Sequence, residues 1–70
     1  MNKIELKKTA IESLDACGAL YNEGRYQEAL NMAQQAWECY FELQKLRDID
    51  EDFSDLIYAA RSQYDKCKAA

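Results

Sequence analysis

The residues able to do chemistry are few, and their spacing gives them little to do together. Three cysteines, Cys17, Cys39 and Cys67, are spread along the chain, and histidine is absent. Without an imidazole no Ser-His or Cys-His pair forms, and a structural zinc site lacks its usual co-ligand. No CxxC occurs either. The three thiols read as reduced, small hydrophobic side chains, which fits a reducing compartment and predicts a cytoplasmic location. Glu38 and Glu42 share a helical face, but exposed carboxylates of that kind are solvated rather than tuned for proton transfer. The run Asp48-Ile49-Asp50-Glu51-Asp52 opens like a calcium loop. Such a loop needs glycine at its sixth position and glutamate at its twelfth. Those positions hold Phe53 and Ala59, so capping of the next helix is the better use of the charges. With no glycine-rich phosphate loop, the sequence points away from an enzyme, a metal site or a bound cofactor.

The bulk properties agree. Seventy residues allow one domain, 1–70, and chains near this length stand alone as well-packed helical bundles. Proline is absent and the glycines are two, Gly18 and Gly24, which is not the turn punctuation of a β-protein. Hydrophobic residues make up 49%, enough for a core and too many for disorder. The net charge of −4 and the scattered lysines and arginines argue against a nucleic-acid partner, which would require a basic patch. The opening MNKIELKKTA holds no apolar run of signal-peptide length, and no stretch is apolar enough to span a membrane.

Periodicity predicts three helices, each antiparallel to the next. The first runs from about 3 to 21, with Ile4, Ala10, Ile11, Leu14, Cys17 and Tyr21 at three- and four-residue steps. Gly18 falls on that face, where it predicts a close approach of a neighbouring helix. Gly24 follows the periodic run and ends it, glycine being at ease in the left-handed conformation of a helix C-terminus. The second helix runs from about 25 to 47 and carries two apolar stripes. One is Tyr26, Ala29, Leu30, Ala33, Trp37, Tyr40 and Phe41; the other is Met32, Ala36, Cys39, Leu43 and Leu46. An apolar arc that wide serves two neighbours, so this helix is expected at the centre. The third runs from about 52 to 67, with Phe53, Leu56, Ile57, Ala60, Tyr64 and Cys67 as its stripe. Asp50 or Asp52 is placed to cap it, and Tyr58 lies opposite the stripe. The fold class is all-α, an antiparallel three-helix bundle.

The segment from Leu20 to Leu30 resembles a tetratricopeptide repeat across its central turn. Leu20, Gly24, Tyr26 and Ala29 match that pattern: glycine makes the turn, tyrosine fills the gap between helices and alanine lets them approach. Ser13 and Phe41 stand where a repeat has tryptophan and proline, and the second helix overruns a repeat. The whole chain resembles an MIT-type three-helix domain, with Tyr26 to Leu30 like its second-helix opening and Ile57, Ala59, Gln63 and Tyr64 like its third helix. The resemblance implies a groove between helices that takes a peptide of a membrane-remodelling filament subunit. Asp65 stands where that family carries a leucine for its ligand. Small tetratricopeptide-like chaperones of bacterial secretion systems have a similar hairpin.

The expected function is a non-enzymatic module, adaptor or chaperone-like, binding a protein or peptide in a groove of the second and third helices. Its expected lining is Met32, Cys39, Leu43, Leu46 and Tyr58. Two alternatives are a hairpin that buries its second stripe as a homodimer, and a small acidic inhibitor docking on a basic surface.

Overall fold

Three helices form where the periodicity places them. The structure, a computed structural model, describes residues 2–70; Met1 of the expected 1–70 domain lies outside the described residues. The elements are α1 (Lys3–Asn22), α2 (Tyr26–Lys45) and α3 (Ser54–Ala69), and no strand occurs among the described residues. The expected second helix is shorter at its end, because Leu46 is its C-cap and the chain turns there, and the third, expected over about 52–67, spans Ser54–Ala69.

Local signals set the boundaries of α1. Asn2 caps its start by accepting a hydrogen bond from the Glu5 N–H at 2.8 Å, which satisfies one of the unpaired donors of a helix N-terminus. At its end Gly24 adopts φ +79°. The Arg25 N–H then reaches the Leu20 carbonyl at 2.9 Å, and the Gly24 N–H reaches Tyr21 at 3.0 Å. This pair of bonds is the Schellman arrangement, and it reverses the chain into α2 within three residues.

Across that turn, Tyr26 sets its ring edge-on against Tyr21, with centroids 5.1 Å apart. It stays partly exposed rather than filling the space between helices. Ala29, Ala33 and Ala36 fill that role instead: all three are fully buried and form a seam along α2. The seam meets Ala10, Ser13 and Cys17 of α1, and Ala60 and Cys67 of α3, all buried. Small side chains on facing positions let helix axes come close.

α2 is the central helix. It packs against both α1 and α3, while α1 and α3, which run parallel, make few contacts with each other. The result is a three-helix bundle of 39 × 19 × 12 Å, flattened because both outer helices pack mainly on the middle one. The bulky buried side chains gather at one end: Leu6, Tyr40, Leu43 and Phe53. The other end buries Cys17, Ala29, Ala33 and Cys67 under a rim of larger, half-exposed residues.

The roll of α1 departs from expectation. Ile4 is 79% exposed and Ile11 54%, while Leu6 and Ser13 are buried. The stripe that faces α2 is Leu6, Ala10, Ser13 and Cys17, whose small members at 10, 13 and 17 match the alanines of α2, and Ile4 and Ile11 fall beside it. Gly18 is likewise not a contact point: it is exposed, and a Cβ built on it meets nothing within 4 Å.

The two glycines respond oppositely to alanine. Gly18→Ala should raise stability by about 0.5–1 kcal/mol, since it removes the entropic cost of glycine in a helix without a clash. Gly24→Ala should lower it by about 1 kcal/mol, because a Cβ is strained in the left-handed conformation. Urea denaturation of both variants checks the pair.

Candidate functional site

α3 lies along one flank of α2, and two contacts identify that flank. Trp37 meets Tyr64 with ring centroids 6.5 Å apart. Gln44 accepts the Phe53 N–H at 2.7 Å. At about 100° per residue, Met32, Cys39 and Leu46 fall on the opposite flank of the alanine seam, on the side of α1. The structure therefore divides the expected groove lining. Leu43 is fully buried beside Tyr40 and Phe53 and belongs to the core. Met32 and Cys39 are half-buried against the core clusters. Leu46 is half-exposed at the end of α2, and Tyr58 is 76% exposed on the outer face of α3. None of the exposed ones lines the junction of α2 and α3, so these residues do not converge on one groove.

What the structure does bring together is a different set. An open depression of about 310 Å³ lies on the outer face of α2, lined by Trp37, Glu38, Phe41 and Glu42. Helical spacing explains it: Trp37 and Phe41 stand one turn apart on one line, Glu38 and Glu42 on the next. Phe41 is 49% exposed, although its place in the first stripe predicted core. It lies at the edge of that stripe, where the apolar arc meets the glutamates, and that border is the signal in the sequence that marks it.

Cations already attend these rings. The Arg61 guanidinium lies 5.1 Å from the Trp37 ring centre and 5.6 Å from that of Tyr64. Asp65 accepts from its Nε at 3.3 Å. Lys45 lies 5.1 Å from the Phe41 ring centre and 3.8 Å from Glu42. Cations favour such aromatic faces by electrostatic attraction to the ring. The surface offers apolar area, negative charge and rings suited to a cation.

The acidic run is committed to structure. The Glu51 carboxylate accepts a hydrogen bond from Lys3, meets Lys7 at 3.5 Å and accepts the Asp48 N–H at 2.9 Å. Asp48 itself pairs with Lys3 at 3.2 Å. The run thus clasps the start of α1. Neither Asp50 nor Asp52 is the N-cap of α3: that position is Phe53, which makes no side-chain cap bond. The Asp52 Oδ1 just before it accepts from the Ser54 Oγ at 2.7 Å and from the Ser54 N–H at 3.0 Å. Those bonds from Ser54 hold its carboxyl below the usual range. Among the described residues, no group of three Cys, Asp or Glu side chains is arranged to hold a metal ion. No described helix is long and apolar enough to cross a membrane.

Compared with family models, with curated proteins and with solved structures, the chain finds no match.

The clasp has a pH signature. Hydrogen bonding by Lys3, then by the Asp48 N–H, lowers the Glu51 pKa from 4.5 to about 2. A carboxylate depressed on folding contributes stability that is present above its unfolded pKa and lost as pH falls through the folded one. Wild type should therefore melt above Glu51→Gln at pH 7, with the gap closing between pH 4.5 and 2. Added salt should narrow the gap, since the clasp lies at the surface. Thermal melts of both proteins across that range check this.

Proposed function

We propose that this chain is a non-enzymatic protein–protein interaction module, adaptor or chaperone-like, that docks a basic, amphipathic peptide or helix on the face of α2 beside α3. The observation that carries this reading is the open depression lined by Trp37, Phe41, Glu38 and Glu42. An apolar side chain of the ligand fits the aromatic rings, and a lysine or arginine one turn away meets the two carboxylates. The net charge of −4 favours encounter with a basic partner. Helix-in-groove recognition uses this kind of face.

The thiols support the non-enzymatic part. Burial pushes Cys17 up to about 11 and raises Cys39 as well, the opposite of what activates a nucleophilic cysteine. The likeness of the Leu20–Leu30 turn to a tetratricopeptide hairpin, and of the three-helix order to an MIT-type domain, is in keeping with peptide binding. The acidic-inhibitor reading uses the same surface from the other side, with a basic site of an enzyme as the ligand. Self-association has its own observation: Ile4 and Ile11 stand two turns apart on α1, both largely exposed.

The test titrates a partner captured on the immobilised chain. Phe41→Ser and the double substitution E38K/E42K should each weaken binding about 30-fold, the loss of a typical hot spot, while melting within a few degrees of wild type. Binding should also fall with added salt. Equal affinity of the variants for the partner would sink this reading. A dimer that persists at low concentration by light scattering, and that Ile11→Lys dissolves, would replace it with self-association.

A further inference from the structure

The Cys17 and Cys67 sulfurs lie 3.8 Å apart, 50 residues apart in sequence, with both side chains buried. They join α1 to α3, two helices that otherwise make few contacts. Nearby, Lys66 of α3 sits 4.3 Å from the centre of the Tyr21 ring of α1. Both contacts are at the end of the bundle where the core is built of small side chains. Cys39 is half-buried on α2 and takes no part in the sulfur contact.

From this geometry we infer that Cys17 and Cys67 are a disulfide-forming site that cross-links the two outer helices around α2. A disulfide needs the sulfurs at about 2.05 Å, so closure requires side-chain rotation and a shift of the end of α3 toward α1. The oxidant is a low-molecular-weight disulfide. One protein thiolate attacks a sulfur of that reagent, forming a mixed disulfide and releasing one thiol. The second protein thiolate then attacks the protein-side sulfur of the mixed disulfide, closing the Cys17–Cys67 bond and releasing the second thiol. The two protein sulfurs are oxidised, the reagent is reduced to two thiols, and the two protons pass to them. Burial keeps both sulfurs from bulk reagent, so the first attack follows opening of the last turn of α3, where Cys67 sits. Burial also holds Cys17 protonated at neutral pH, so closure quickens as pH rises. The bond closes a loop of 50 residues, and long loops gain most from cross-linking.

The test incubates the natural chain and Cys39→Ser with oxidised glutathione at pH 8.5, a few degrees below the melting temperature. Expected is one intramolecular linkage, Cys17 to Cys67, by peptide mapping under non-reducing conditions. The monomer's melting temperature should rise by roughly 10 °C or more and return to its reduced value with dithiothreitol. Persistent glutathione adducts, a linkage through Cys39, thiols still free after opening, or an unchanged melting temperature would each overturn the inference.

Discussion

The structure depends on how closely α1 and α3 can approach α2, and the alanine seam of α2 sets that approach. Ala29, Ala33 and Ala36 are fully buried, and the buried residues clustered with Ala29 and Ala33 on the two neighbours are Cys17 and Cys67, rimmed by Leu20, Tyr21 and Tyr64. Small contacts bring helices together but bury little apolar area apiece. The bulk of the hydrophobic burial therefore falls to Leu6, Tyr40, Leu43 and Phe53, at the end where the α2–α3 connection crosses. The bundle is asymmetric along its length, with large interlocking side chains at one end and a narrow seam at the other. Because α2 takes nearly all the packing, neither outer helix shields the other, and the outer face of α2 beside Trp37 remains open.

Much of the fold was legible in the residue pattern. The Gly24 turn, the antiparallel order and the central place of α2 followed from spacing, because each rests on local chemistry or on the width of one apolar arc. The roll of α1 did not follow. Its sequence holds two overlapping stripes, and hydrophobicity favours the one with Ile4 and Ile11. The choice falls to the stripe with Ser13 because of what stands opposite, and that is a property of α2 rather than of α1. The lysine clasp fixes the same roll from outside, pairing Lys3 and Lys7 with Glu51 across more than forty residues of chain. A bond of that kind has no local signature.

An apolar surface on α2 can be read from the residue pattern, but which of its flanks faces α3 cannot. An exposed apolar surface on α2 was expected, but the stripe chosen for it lies away from α3. Two stripes that look equivalent on a helical wheel differ once a third helix selects one flank. Gln44 and Trp37 make that selection, through a hydrogen bond to Phe53 and ring contact with Tyr64. Phe41, at the margin of the selected stripe, is left half in water.

The cations resting on Trp37 and Phe41 bear on how that surface discriminates. Arg61 and Lys45 already occupy the ring faces. In the proposed complex, a lysine or arginine arriving at these ring faces would exchange with a tethered competitor of like charge. The electrostatic gain of arrival is largely cancelled by the displacement, and a small, purely ionic ligand profits little. A ligand profits only if it also carries apolar area to cover the aromatic rings. On the proposed reading, the resident side chains would act as a filter, trading tightness for selectivity toward segments that are both basic and amphipathic.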